Sequence, residues 1–307
     1  MARRLFLLFL VTASSLAAAQ GFELERVVLN PGARETLFAQ TGDALDPMKL
    51  RVQLLGHYEH RPLVYTVDSQ EVGAAIEGRW TTHLVAAFGI HRFVEASLQV
   101  PVVLYQGGED LTLYGLNAVP AAAMGAPWLS VRSGLLRQSM DQPLDLAVSL
   151  SLSLPFGSAQ AFTRDPGAGL AFVPRVGVGR TLGPLRFGGE LGVLVRGAQV
   201  LSPATAMVKD EVGSQFSAAL AISSVGLPVH LELCGRVIAP FTATGVSGEV
   251  LAAVRAKLFE QFEVSLAGGP GFGQAPGTPA FRVLLGFAWT PDFAAPAAPS
   301  APAPEAK

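Results

Sequence analysis

The chain lacks several features that mark soluble enzymes and helical membrane proteins. Charged residues make up only 15% of its 307 residues, against about 25% in soluble domains. Half of the residues are hydrophobic, yet beyond the N-terminus they form no run long enough for a transmembrane helix, which needs about 20 apolar residues. A single cysteine, Cys234, excludes an intramolecular disulfide. The net charge of -2, without a basic block, argues against nucleic acid as a partner.

What the chain does have is alternation. From Leu144 to Leu154 every even position is a branched aliphatic residue, and every odd position is small or polar. A β-strand turns alternate side chains to opposite faces, so this stretch has one apolar face and one polar face. The pattern recurs along most of the chain and predicts a wall of amphipathic strands.

The two ends differ from this wall. Residues 1–19 have the features of a secretory signal peptide, with Arg3 and Arg4 before an apolar stretch and a small-residue cleavage motif at Ala17–Ala19. Residues 292–307 are rich in Ala and Pro, which predicts an extended periplasmic tail. Residues 48–291 are then the barrel domain, and residues 20–47 lie between the signal and the barrel.

Twelve strands are predicted within the barrel domain, and their connections alternate between short and long. The predicted strands are 49–60, 75–89, 93–105, 126–138, 144–155, 168–181, 185–197, 213–224, 229–241, 248–259, 262–272 and 280–290. Outer-membrane barrels have tight periplasmic turns and longer extracellular loops. Together with the signal peptide, this favours an all-β fold: a transmembrane, antiparallel, up-and-down β-barrel whose apolar face contacts lipid.

Charges collect on the other face of the predicted strands and define a candidate lumen network. Its members are Glu77, Arg79, Glu95, Arg132, Arg175, Arg186, Glu190, Arg196, Glu232, Arg236, Arg255, Lys257, Glu263 and Arg282. Hairpin registers set Arg175 across from Glu190 and Lys257 across from Glu263. Two interpretations stay open: the charges neutralise each other in a filled lumen, or they line a polar pathway that selects small solutes.

Residues 20–47 contain apolar side chains without strand periodicity, among them Phe22, Leu24, Leu37 and Phe38. The segment is predicted to be either a periplasmic leader or a plug folded into the lumen. The plug is favoured, because apolar side chains left in water are costly.

Catalytic and metal alternatives have little support. His83, Glu95 and Ser97 lie on one face of adjacent predicted strands, which suggests a hydrolase triad, but no nucleophile elbow accompanies them. The five histidines show no metal-binding spacing. We therefore predict no enzymatic activity, no metal site and no cofactor.

Several short motifs resemble the N-terminal barrel of the outer-membrane protein A (OmpA) family of Gram-negative bacteria. They are residues 21–26 (GFELER), 30–34 (NPGAR), 56–64 (GHYEHRPLV), 99–106 (QVPVVLYQ), 154–158 (LPFGS) and 277–284 (GTPAFRVL). In that family a Pro-rich linker, acidic repeats and a peptidoglycan-binding domain usually follow the barrel. Neither of the last two is present here, so cell-wall anchoring is not carried over. The resemblance implies a barrel involved in surface structure, contact or passive transport.

The sequence thus predicts an integral outer-membrane barrel acting as a surface scaffold or surface-contact component of the cell envelope. The alternative is a porin-like passive channel with a charged lumen. The expected partners are outer-membrane lipid and, as a further option, other envelope or surface proteins, with small solutes only if the lumen is open.

Overall fold

In a computed structural model, twelve long strands form one closed antiparallel barrel. The structure describes residues 21–32, 35–67, 70–114, 118–165, 169–200, 211–242, 245–273 and 275–291. The predicted signal peptide and the Ala/Pro-rich tail lie outside these residues. The strands are β1 (Leu50–Val67), β2 (Gln70–His91), β3 (Val94–Gly107), β4 (Trp128–Leu136), β5 (Asp145–Ser153), β6 (Ala171–Leu182), β7 (Leu185–Arg196), β8 (Gln215–Ser224), β9 (Val229–Pro240), β10 (Ser247–Phe259), β11 (Phe262–Gly273) and β12 (Phe281–Trp289).

Each strand pairs with its neighbour in sequence, and β1 pairs with β12 to close the barrel. The closing seam runs from Val52 opposite Trp289 to His60 opposite Phe281. Closure gives the long strands partners on both sides, which a sheet in hydrocarbon requires because no water is present to bond a free edge. The predicted fold, a transmembrane up-and-down barrel of twelve strands, is confirmed.

The alternation of the sequence becomes an alternation of environment. Along β12, Phe281, Val283, Leu285 and Phe287 are exposed, while Arg282 between them is fully buried. The same pattern recurs on the other strands, so the aliphatic rows face outward and the charged rows face inward. A soluble barrel would have the opposite arrangement. This outer surface therefore matches hydrocarbon rather than water.

Arg180 departs from this segregation. Arg180 on β6 is exposed on the outer face, two residues before the strand ends at Leu182. A long cationic side chain at the end of a membrane strand can extend its head group to the polar interface. The position of Arg180 near the turn that follows β6 suits this behaviour.

The first hairpin is longer than predicted. The predicted strands 49–60 and 75–89 leave a long connection between them, but β1 continues to Val67 and β2 begins at Gln70. The pairing register shifts between His60 and Leu63, and Arg61 within this bulge has a φ of 53°. A bulge lets a strand bend and continue past a residue that breaks the ladder. The hairpin therefore extends beyond the seam that β1 forms with β12.

Helical structure in the described residues is limited to two short 3-10 turns, Thr112–Tyr114 and Gln138–Met140. None of the described helices could cross a membrane.

The outward orientation of the aliphatic rows leads to a stability prediction. Leu285, near the middle of β12, is 67% exposed. Leu285→Arg should lower the unfolding free energy in lipid vesicles by about 2–4 kcal/mol, because a charge near the bilayer midplane loses its hydration. Denaturant unfolding followed by tryptophan fluorescence measures the difference.

A matched control is Leu113→Arg, at a residue that is 96% exposed in the connection after β3. That substitution should change the unfolding free energy little, since the side chain lies beyond the strands. Equal effects at both positions would contradict the proposed environment of the outer face.

Candidate functional site

The interior of the barrel is occupied by the N-terminal part of the chain. We call residues 21–32 and 35–46 the lumen segment; they contain no helix or strand. Main-chain N–H groups of Leu45, Gln40 and Leu37 donate to Glu95, Glu190 and Glu232, respectively, over 2.8, 2.9 and 2.6 Å. These carboxylates belong to β3, β7 and β9, which lie on different sides of the wall. A segment that contacts inward faces all around the barrel lies in its lumen.

Arginines of the wall donate hydrogen bonds to main-chain carbonyl oxygens of the segment. A guanidinium carries five donors in a rigid fork, so one arginine can serve several carbonyls. The donor–acceptor pairs are Arg132 to Asp43 (2.9 Å), Arg186 to Thr41 (2.6 Å), Arg196 to Glu23 (3.0 Å) and Arg255 to Glu35 (2.8 Å), together with Arg236 to Arg26, Val28 and Phe38.

Apolar side chains of the segment pack in two clusters. Leu29, Leu37 and Phe38 are buried against aliphatic residues of the wall, including Leu55 and Leu284. Phe22 and Leu24 form the second cluster with Leu63, Ile76, Phe162 and Val212. These are the apolar residues that the sequence leaves without a strand position. Their burial supplies the hydrophobic contribution to holding the segment in the lumen.

Close approach of the segment to the wall depends on a glycine. A Cβ atom placed on Gly177 of β6 would overlap the carbonyl oxygen of Gln40 and contact the amide nitrogen of Gly42. Only a residue without a side chain lets two backbones come this close. Gly177 therefore allows the segment to pack directly against the backbone of β6.

The fourteen residues of the predicted lumen network separate into two groups. Twelve lie inside the barrel, while Glu77 and Lys257 lie at its two mouths. Glu77 is on the extended part of the first hairpin, where it pairs with Arg61 at 3.2 Å and its side chain is 46% exposed. Lys257 is exposed beside the turn between β10 and β11.

The two predicted charge pairs have different outcomes. Arg175 Nε lies 3.6 Å from Glu190 Oε1, although the register sets Arg175 opposite Gly192, two residues from Glu190. A diagonal neighbour is still within reach of a long side chain. Lys257 is directly opposite Glu263 as predicted, but the ion pairs of Glu263 run to Arg51 at 2.6 Å and Arg255 at 3.6 Å.

Several titratable residues of the interior were missed by the sequence prediction. His57 and Glu249 sit at inward positions of their strands, so strand parity could have identified them. Asp165 lies in the connection after β5 and pairs with Arg196 at 3.1 Å. Glu25 and Asp43 lie in the lumen segment, where no periodicity marks an inward side chain.

The residues of the suggested hydrolase triad do not meet. His83 is opposite Pro101 on β3, whereas Ser97 is opposite Ala87 and Glu95 is opposite Gly89. Glu95 is engaged by the N–H of Leu45, and its Oε1 lies 3.6 Å from Arg132. Their separation along the strand leaves these groups without the hydrogen-bonded contact that a triad needs.

Among the described residues, free space is found between the lumen segment and the wall and also at one end of the barrel. A cavity of about 90 Å³ lies between the lumen segment and the wall, and Glu25, Gln99, Trp128, Arg175 and Arg236 are among its lining residues. A larger space of about 620 Å³ opens at the end of the barrel with the short turns, lined by residues such as Lys49, Lys257 and Glu260. The lumen segment accordingly fills only part of the barrel interior.

Comparison with known proteins gives a fold relationship. No family model and no curated protein sequence matches the chain. Among solved structures, the COG4313 outer membrane channel from Pseudomonas putida F1 is similar, with a TM-score of 0.57 and 11% identity over 86% of this chain and 100% of that one. The NanC porin has a TM-score of 0.50 and 7% identity over 78% of this chain and 98% of that one. The fold is thus that of outer-membrane barrels.

The contacts of the lumen segment predict a local effect of removing an acceptor. Glu232→Ala leaves the N–H groups of Leu37 and Phe38 without their partner. An unsatisfied buried donor costs about 1–3 kcal/mol, so these two amides should lose protection in hydrogen exchange. Exchange measured by mass spectrometry on peptides covering residues 35–46 checks this.

Glu77→Ala is the control, because it removes a carboxylate at the mouth of the barrel. It should leave exchange in residues 35–46 unchanged. Equal exchange in wild type and Glu232→Ala would show that this carboxylate does not hold the segment.

Proposed function

We propose that the protein is an outer-membrane channel for small solutes and that the lumen segment is its plug. The observation that carries the proposal is the way the segment is held. Side-chain hydrogen bonds and ion pairs attach it to the wall, and residues 21–32 and 35–46 form no ladder with a strand. Polar contacts of this kind can be exchanged for water and no strand ladder has to break, so the segment can leave a closed barrel at the cost of exposing its apolar clusters.

The chemistry of the wall supports a polar pathway. Buried guanidiniums and carboxylates alternate around the interior, for example Arg132 with Glu95 and Arg175 with Glu190. If the lumen segment leaves, these guanidiniums and carboxylates face water. Barrels of about eight strands are filled by side chains, and those of 16–18 strands carry open channels. A barrel of twelve strands lies between these sizes, and here the lumen segment occupies part of its interior.

The outer membrane is the proposed location. The outward aliphatic rows suit a bilayer, and the signal peptide predicted for residues 1–19 would direct export. The connections at the two ends differ as in outer-membrane barrels, with tight turns such as 183–184 and 260–261 at one end and long stretches such as 108–127 at the other. This difference supports an orientation with the turns in the periplasm and the long connections at the cell surface.

A surface scaffold is the second candidate, and the first hairpin favours it. A membrane strand needs about 9–11 residues, whereas β2 has 22. The surplus projects from the end that carries the long connections, where Ala74 and Glu109 join the hairpin to the connection after β3 through two hydrogen bonds. A braced projection of this kind suits contact with another surface, the role that the resemblance to OmpA-family barrels implies.

Deleting residues 21–47 tests the channel and distinguishes the two candidates. The variant should show a severalfold higher single-channel conductance in planar bilayers, because the space now filled by the segment becomes water. Deletion of residues 292–307 is the control and should leave conductance unchanged. Heat-modifiable migration in gels verifies that each barrel has folded. An unchanged conductance in a folded 21–47 deletion would overturn the channel and leave the scaffold.

A second test uses two arginines of one strand. Arg175 lines the interior cavity, whereas Arg180 faces outward. Arg175→Gln leaves Glu190 without its cation, so the reversal potential in a salt gradient should shift toward cation selectivity. Arg180→Gln should leave it unchanged. Both are measured in the full chain and in the 21–47 deletion, and equal reversal potentials throughout would place the ion path elsewhere.

A further inference from the structure

Three side chains from different parts of the chain converge inside the barrel. Glu25 comes from the lumen segment, His57 from β1 and His83 from β2. His57 Nε2 lies 3.1 Å from Glu25 Oε2 and 3.0 Å from His83 Nε2, and His83 Nε2 lies 3.7 Å from Glu25 Oε2. The side chains of both histidines are fully buried, and that of Glu25 is 5% exposed.

The size of this triangle matches a coordinated metal ion. A point exists about 2 Å from all three atoms, which is the bond length of zinc to imidazole nitrogen and to carboxylate oxygen. Two histidines and one carboxylate are also a ligand set that zinc uses when it keeps a fourth position open. The geometry points to a divalent transition-metal site of the zinc type, formed by Glu25, His57 and His83.

Groups around the triangle orient two of the ligands. Glu25 Oε1 accepts a hydrogen bond from the N–H of Val27 at 2.7 Å, which leaves Oε2 directed at the imidazoles. Gln99 Nε2 lies 3.0 Å from His83 Nδ1. With the amide turned over, its oxygen would accept the Nδ1–H of a metal-bound imidazole. Outer-shell partners of this kind fix the tautomer and the ring orientation of a metal ligand.

Arg282 determines how the metal would enter. Its Nη1 lies 3.0 Å from His57 Nδ1, and because a guanidinium only donates, Nδ1 accepts and Nε2 carries the proton. That proton points into the triangle. A metal ion would take its place if Arg282 turned away from Nδ1, because His57 could then bind through Nε2 as the neutral imidazole with its proton on Nδ1.

Charge balance favours a bound cation at this position. Among the described residues, the ion pairs around Arg282 join three carboxylates (Glu25, Glu59 and Glu249) to two guanidiniums (Arg282 and Arg79). With neutral imidazoles the network carries one net negative charge inside the barrel, where uncompensated charge is costly. A divalent cation bound by Glu25, His57 and His83 would compensate this negative charge.

The triangle also borders on free space. Glu25 and Gln99 both line the interior cavity of about 90 Å³. A water molecule occupies about 30 Å³ in the liquid, so this cavity can supply the fourth ligand. A bound metal would join the lumen segment to β1 and β2 through coordinate bonds. The site does not depend on the proposed channel activity, since it requires only that Glu25 remain in the lumen.

Zinc titration of the full-length folded protein in detergent tests the site, with a chromophoric chelator as competitor. We expect one zinc ion per barrel, and His57→Ala, His83→Ala and Glu25→Gln should each weaken binding by more than about 100-fold. His91→Ala and His230→Ala are controls, since these residues lie outside the triangle, and they should bind like wild type. Gel migration verifies folding.

Cobalt provides a test that needs no variant. Wild-type protein with one equivalent of Co²⁺ should show d–d absorption of a low-coordinate site with nitrogen ligands, and Zn²⁺ should remove it. Absence of stoichiometric zinc binding in wild type would overturn the site, as would binding that survives His57→Ala and His83→Ala. In either case, Glu25, His57 and His83 are held together by the hydrogen bond of the His57 Nε2–H and not by a metal ion.

Discussion

The structure depends on satisfying the main-chain groups of a segment that has no secondary structure. Inside a closed barrel an irregular chain is shielded from bulk water, and its N–H and C=O groups must find partners there. Carboxylates of the wall accept from the N–H groups and arginines donate to the carbonyls. Glu232 and Arg236 perform both tasks within one strand, since Glu232 accepts from Leu37 and Arg236 donates to the carbonyl oxygen of Val28. The charged side chains of the wall thus match the main-chain donors and acceptors of the lumen segment.

This complementarity changes how the interior charges are understood. Paired only with each other, they would be expected to neutralise a filled lumen or to line an open one. Instead, Arg132 divides its donors between the main-chain oxygen of Asp43 and the Asn30 side chain, with Glu95 3.6 Å away. Wall and segment therefore form one network, in which the ion pairs orient side chains that bind backbone. The proposed plug and the proposed metal site both follow from that network.

Strand parity made most of the fold predictable, because a period of two is visible in the sequence itself. The alternation at Leu144–Leu154 corresponds to β5, and the ends of β7 and β9 agree with prediction to within one residue. The extended first hairpin was not predicted, since Arg61 and Pro62 look like a loop and the bulge is visible only in the register. The contacts of the lumen segment could not be predicted either. Leu37 and Glu232 are 195 residues apart, and no sequence pattern links the two positions.

The seam between β1 and β12 has a consequence for assembly. Arg282 on the last strand reaches Glu25 at 3.5 Å and Glu59 of β1 at 2.8 Å, so it joins the final strand to the first strand and to the segment before it. Arg282 thereby couples closure of the barrel to the position of the N-terminal segment, because the same cation contacts the strand that seals the wall and the chain enclosed within it.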